Sequence, residues 1–179
     1  MPLTPEQLPD LLQLLRLKNV PRTGWTRHPI GAEEIESVAD HSFGVILLAW
    51  LLCPDHLNKT RVLELALVHD LAEVKVGDLT PHCGVSPSVK RKMEAEALRE
   101  LTGNLAKRAD CARLFEEYQQ QESEESRWVK AMDKLEMTLQ SLNYEKDHPV
   151  DLKEFRLSAS EKLKPLGLAW LVEEGRSST

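Results

Sequence analysis

Cysteine is scarce in this chain. Its 179 residues include only Cys53, Cys83 and Cys111, far apart and odd in number. Without a Cys-x-x-Cys pair, zinc-ribbon and redox-motif readings fail, and reduced thiols in a cytoplasmic protein are expected. A basic excess is also missing: 23 Lys+Arg against 29 Asp+Glu leave a formal net charge of −6. Proteins that coat nucleic acid carry the opposite balance, so no nucleic-acid partner is expected. A small anionic substrate stays open, because one arginine and a metal can dominate a site. No run approaches the roughly 18–20 apolar residues of a membrane span, and no basic stretch followed by an apolar one marks a signal peptide. Repeats, low-complexity segments and alternating strand patterns are absent as well, which leaves an all-α reading. Neither a Walker-type glycine-rich loop nor a Ser- or Cys-centred nucleophile arrangement is apparent.

What remains is a normal globular composition, 41% hydrophobic and 29% charged, at a length that suits one domain over 1–179. Its core is expected over about 8–146, with C-terminal helices over about 150–174. Thr4-Pro5-Glu6-Gln7 reads as a helix start, with Thr at the N-cap and Gln at N3; Pro9 moves the regular helix toward Leu8. Pro21 to about Ser37 is a long loop carrying Arg22, Trp25, Arg27 and His28, and loops of that length are often functional. Arg22 can hold a phosphate and Trp25 can wall off a ring; the alternative is a solvated Arg22 and a Trp25 that caps the core. Val38 to Cys53 is apolar nearly all round and predicts a buried central helix, with His41 as its inward polar residue. Further helices are expected from Pro87 to Gly103, Leu105 to Gln121, Ser126 to Tyr144 and Asp151 to Leu163. The tail from Gly175 is expected to be loose.

The stretch Leu65-Ala66-Leu67-Val68-His69-Asp70-Leu71-Ala72-Glu73 is the most informative. It reads as a buried helix ending near Val76-Gly77, with three ionisable groups in an apolar run. Such groups are costly to bury unless paired or bound to metal. His69 and Glu73 stand at i and i+4, with Asp70 about 100° round from His69. A cation beside this helix could take His69 and Asp70 as ligands, leaving Glu73 to handle a proton on bound water. The plainer alternative is a core histidine hydrogen-bonded to a carboxylate. Asp133 falls within the partly buried stripe of the 126–144 helix, where aspartate is a weak helix former. His41, His69, Asp70 and Asp133 together make a mixed nitrogen–oxygen donor set suited to Mn²⁺, Co²⁺, Fe²⁺, Ni²⁺ or Zn²⁺; Mg²⁺ is also kept as a candidate. His56, His82 and His148 fall in connections and are expected to be exposed. The Glu122–Ser126 acidic run reads as a solvated connection.

The order His…His-Asp…Asp resembles the HD superfamily of metal-dependent phosphohydrolases. The resemblance rests on Glu36-Ser37-Val38-Ala39-Asp40-His41-Ser42, on Ala66 to Asp78 with its His-Asp-x-x-Glu-x-x-x-Gly-Asp, on Val129-Lys130-Ala131-Met132-Asp133-Lys134, and on Val20-Pro21-Arg22-Thr23-Gly24-Trp25. These blocks are similar to the branch containing 5′-deoxynucleotidases and related HD domain-containing proteins. What the resemblance implies is an HD-domain helical bundle with a metal site between core helices, which hydrolyses (deoxy)nucleoside 5′-monophosphates to nucleoside and phosphate. His41, His69, Asp70 and Asp133 would be the ligands of one divalent ion, and Glu73 would orient or deprotonate the attacking water. Arg22 would bind phosphate, Trp25 would sit at the sugar and disfavour a 2′-hydroxyl, and Asp78 would help place sugar and phosphate. Thr23-Gly24 separates the Arg and Trp that are adjacent in well-known bacterial members. A homodimer is expected. Competing readings are another HD phosphohydrolase, acting on a nucleoside triphosphate, cyclic nucleotide or guanosine polyphosphate, and a non-catalytic nucleotide- or metal-binding module. The lack of an obvious basic cluster weighs against polyphosphates.

Overall fold

Helices account for all the regular structure among the described residues, 3–174 of the computed structural model. The only β pairing there is an isolated bridge between Pro21 and Ser37. Three helices build the centre. Helix α2 (Val38–Leu51) starts at Ser37, whose hydroxyl accepts from the Asp40 amide while Asp40 accepts from the Ser37 amide. This reciprocal cap fixes the first turn, and with it His41. Helix α3 (Lys59–Val68) is capped by Asn58. Helix α7 (Glu124–Asp147) starts at Ser123. The three pack on one another, burying Val45, Ala49, Val62, Leu65, Ala66, Val129, Met132 and Leu135. Each large apolar side chain in that set contributes about 1.5–3 kcal/mol through burial.

The remaining helices surround this centre: α1 (Leu8–Leu14), α4 (Glu73–Val76), α5 (Pro87–Leu101), α6 (Arg108–Gln120) and α8 (Lys153–Leu163). As the sequence predicts, α1 begins at Leu8, preceded by a 3₁₀ turn at Pro5–Gln7. Helix α8 folds back on α7, where the buried Arg156 guanidinium lies 2.8 Å from Glu145 and that carboxylate also accepts from the Leu152 amide at 2.7 Å. The 21–37 loop is tied at both ends: Arg22 N–H donates to Glu36 O, and Val38 N–H to Val20 O.

Two expectations are corrected. Helix α2 is not buried all round; Phe43, Leu47, Trp50 and Leu51 are exposed, because α3 and α7 cover only the opposite face. The His69-bearing helix is also not continuous to Val76. It ends at Val68, and α4 starts at Glu73. The intervening turn is tightened by Leu71 N–H to Val68 O and Glu73 N–H to Asp70 O, both three residues back. His69, Asp70 and Glu73 therefore converge from a turn and a fresh helix start, not from one straight helix face. The expected loose tail from Gly175 lies outside the described residues.

Candidate metal centre and active site

His41 is wholly buried in the first turn of α2. Its Nδ1 donates to Glu136 Oε2 on α7. Glu136 can pass α2 there because residue 44 is glycine: a Cβ on Gly44 would stand 2.8 Å from Glu136 Cγ. His69, also buried, donates from Nδ1 to the Ala66 carbonyl at 2.7 Å. Both partners can only accept, so each Nδ1 carries a hydrogen and each Nε2 is the atom offered to the interior. Neither Nε2 has a hydrogen-bond partner. They face the carboxylates: His41 Nε2 lies 3.6 Å from Asp70 Oδ2 and 3.5 Å from Asp133 Oδ1, and His69 Nε2 lies 3.1 Å from Asp70 Oδ2.

These separations suit a single cation. Donors about 2.1 Å from one ion stand roughly 3.0–3.4 Å apart. The ligand atoms of His41, His69 and Asp70 all lie within 4.8 Å of one another. Glu36, His41 and Glu136 form a second cluster of that size, but there the His41 Nδ1 is already committed to Glu136. Acceptors behind each imidazole and unpartnered nitrogens in front are the arrangement by which proteins orient metal-binding histidines.

Charge in the cluster is set by its neighbours. Burial pushes the Asp133 carboxyl up, but Lys130, Lys134 and His41 outweigh it and hold it well below the usual range. Its Oδ2 accepts from Lys130 Nζ at 2.8 Å and from the Tyr118 hydroxyl at 3.2 Å, leaving Oδ1 toward His41. Asp70 is likewise held low, burial being outweighed by His69 and His41. Burial and Arg22 pull the His41 imidazolium down, yet the carboxylates of Asp133, facing it, and Glu136, hydrogen-bonded to it, carry its pKa to about 9. Glu73 behaves in the opposite way. It is buried, and desolvation with the nearby Asp70 and Asp78 pushes its carboxyl well above the usual range. Its Oε2 has no hydrogen-bond partner.

Arg22 Nη1 donates to Asp78 Oδ1 at 3.1 Å, while Asp78 Oδ2 accepts from the Thr23 amide at 2.7 Å. Trp25 Nε1 donates to Glu36 Oε1 at 2.7 Å. Burial and Glu136 push the Glu36 carboxyl up to about 7. Trp25 is only 1% exposed, with Phe155 of α8 over its ring at 4.1 Å and Tyr144 edge-on at 5.3 Å.

A cavity of about 430 Å³ brings most of these groups onto one wall, a size within the range of small-molecule sites. Arg22, Trp25, Asp70, Glu73, Asp78 and Asp133 line it; His41 and His69 do not, but face its Asp70 and Asp133 carboxylates. The 79–82 segment lines it too, and Lys90 Nζ ties that segment to α5 by donating to Leu79 O at 2.6 Å. Lys90, Lys130 and Lys134 also reach the wall, a basic grouping the sequence reading did not anticipate. Each lies within 4 Å of an acid: Lys90 of Glu73 and Glu94, Lys130 and Lys134 of Asp133.

Glu136, Lys130, Tyr118 and Phe155 were not singled out from the sequence. Glu136 carried a signal: it is charged, three residues after Asp133, in a stripe with Met132 and Leu135. Phe155 carried none, since its place depends on how α8 folds back. Of the other histidines, His56 and His82 are exposed as expected, and His82 lines the cavity. His148 is half-buried, contrary to expectation, beside the Tyr144 ring. His28 lies 3.2 Å from Glu154.

A helical bundle that converges His, His-Asp and Asp beneath such a cavity defines the HD-domain class. The HD domain family model matches residues 14–167, and the chain belongs to that family. Within it, the chain is 40% identical to 5′-deoxynucleotidase hdd1 of Schizosaccharomyces pombe over 172 residues, 92% of this chain and 86% of that one. It is 40% identical to 5′-deoxynucleotidase HDDC2 of Mus musculus, over 92% of this chain and 85% of that one. Among solved structures, a conserved hypothetical protein from Pyrococcus furiosus superposes with a TM-score of 0.76 at 31% identity, covering 93% of this chain and 94% of that one.

Proposed function

We propose that this protein is a metal-dependent 5′-deoxynucleotidase, releasing phosphate from deoxynucleoside 5′-monophosphates. The observation that carries the reading is the pair of unpartnered Nε2 atoms facing Asp70 and Asp133 behind a cavity that also holds Arg22 and Glu73. The 5′-deoxynucleotidase names of relatives at 40% identity support the substrate class.

In this reading His41, His69, Asp70 and Asp133 hold one divalent cation, with Mn²⁺, Co²⁺ and Mg²⁺ the first to test. When bound, that ion supplies Lewis acidity toward a phosphoryl oxygen and acidifies a water. Arg22 receives the phosphate by a charge-assisted contact, and Asp78 holds the guanidinium in place beforehand. Glu73 takes the proton of the attacking water; its raised pKa brings it nearer the range in which a carboxylate is an effective base. Attack is direct, with no covalent enzyme intermediate. The lysines on the wall are already engaged with acids, which favours one phosphate group over a polyphosphate chain. Because Phe155 and Glu36 occupy its ring face and its N–H, Trp25 acts on the sugar as part of the wall.

The same reading takes 1–179 as one domain acting in the cytoplasm as a homodimer, in which a second copy covers Phe43, Leu47, Trp50 and Leu51. Light scattering at about twice the chain mass would support the dimer, and a monomer would reject it. The activity is tested by phosphate release from ribo- and deoxynucleoside 5′- and 3′-monophosphates and from triphosphates. Metal-stripped protein would be resupplied with Mn²⁺, Co²⁺ or Mg²⁺. Metal-dependent release from deoxynucleoside 5′-monophosphates is expected. Equal rates on ribonucleotides would remove the sugar role of Trp25 alone, and no release from any monophosphate with any metal would overturn the reading.

A further inference from the structure

The cavity has a charged wall, already described, and an aromatic one that the catalytic account does not use. Its aromatic part comes from Phe155 on α8, with Met137 of α7 and Gly24 of the loop beside it. The sequence points to Trp25 as the ring that meets the ligand, but Trp25 is 1% exposed, its indole N–H is taken by Glu36, and Phe155 lies over it at 4.1 Å. Gly24 permits that stack, since a Cβ there would stand 2.9 Å from Phe155 Cε1. Phe155 itself is only half-buried. Trp25 backs it, and the His28 ring stands edge-on at 5.6 Å. Beside it the Arg27 and Glu154 side chains pair at 2.9 Å, and both line the cavity.

We propose that Phe155 is the nucleobase platform of this site, a specificity residue supplied by the C-terminal helix α8 and held rigid from behind by Trp25. The proposal rests on the nucleotidase reading and deepens it by assigning the part of the cavity that takes the base. A planar base laid on Phe155 gains stacking that any of the bases provides, so Phe155 selects nucleotides over base-free sugar phosphates without selecting one base. Removing a base–aromatic stack costs roughly 5- to 150-fold in affinity.

The test is equilibrium binding by calorimetry to the Mn²⁺-loaded protein. The ligands are a hydrolysis-proof 5′-phosphonate analogue of a deoxynucleoside monophosphate and the matching 2-deoxyribose phosphonate without a base. The variants are Phe155→Leu, which keeps Trp25 covered but removes the ring, and Phe155→Tyr, which keeps the ring. Wild type should bind the base-bearing analogue roughly 5- to 150-fold more tightly. Phe155→Leu should lose that preference while its affinity for the base-free analogue holds, and Phe155→Tyr should restore it. Equal affinities in wild type, or a preference that survives in Phe155→Leu, would overturn the proposal. These outcomes are read from binding and stand apart from whether phosphate is released.

Discussion

Glu136 never faces the cavity wall, yet its removal should weaken metal binding. It supplies the acceptor for His41 Nδ1, and His41 is wholly buried. In Glu136→Ala that acceptor is removed, so the imidazole loses the contact that fixes its tautomer and its orientation. Loss of such an outer partner typically costs about 10- to 100-fold in metal affinity, or roughly 1.4–2.7 kcal/mol. Because no solvent reaches His41 to stand in for the carboxylate, the upper part of that range is expected. Glu136→Gln keeps an acceptor without the charge and should fall between. Gly44→Ala should shift affinity the same way, since its methyl would stand 2.8 Å from Glu136 Cγ. Combined with Glu136→Ala it should add little, because both act through one contact. The assay is calorimetric Mn²⁺ titration of metal-stripped protein, with the helical circular dichroism of each variant recorded beside it. A folded Glu136→Ala protein with wild-type Mn²⁺ affinity would refute the reasoning.

Three further outcomes follow from the same geometry. Glu73→Gln should lower the turnover rate by about 10²- to 10⁴-fold while leaving Mn²⁺ affinity within a few-fold; an unchanged rate would remove Glu73 as the base. His41 stays protonated up to about pH 9 in the metal-free protein, so loading must displace that proton. Its raised pKa stabilises the metal-free fold fully below about 6.5, and that contribution is lost as pH rises through about 9. Metal affinity should therefore climb with pH until about 9. Calorimetry in two buffers of different ionisation enthalpy should detect release of about one proton at pH 7, and no release would count against this protonation state. Finally, Arg156→Leu breaks the buried pair with Glu145 and should cost about 3–5 kcal/mol in chemical denaturation; a loss below about 1 kcal/mol would show the pair to be dispensable.

Helix positions, and the inward-facing residues His41, His69, Asp70 and Asp133 that the fold brings together, were legible in the sequence because they rest on local or periodic patterns. Ser37 and Asn58 start their helices as polar caps do, and the apolar stripes of α3 and α7 mark their buried faces. Periodicity could not show the break after Val68, since apolar residues continue through Leu71 and Ala72 and only hydrogen bonds to residues three back distinguish the turn. It also misjudged α2: an all-round apolar helix looks central, but what covers Phe43 and Trp50 is decided by its neighbours. Glu136 and Phe155 reach their places by contacts 95 residues away at His41 and across the α8–loop interface at Trp25. The spacing of Glu136 from Asp133 hints at a buried charge but not at its partner, and nothing around Phe155 marks its contact.

The measurement that bears most directly on the account is crystallographic. Crystals of Mn²⁺-loaded protein would be measured at the manganese absorption edge to locate the ion by anomalous scattering. One strong peak at coordination distance from His41 Nε2, His69 Nε2, Asp70 and Asp133, lost in an Asp70→Ala crystal, is the predicted result. A peak lodged instead between Glu36 and Glu136, or none near the two histidines at saturating Mn²⁺, would contradict it.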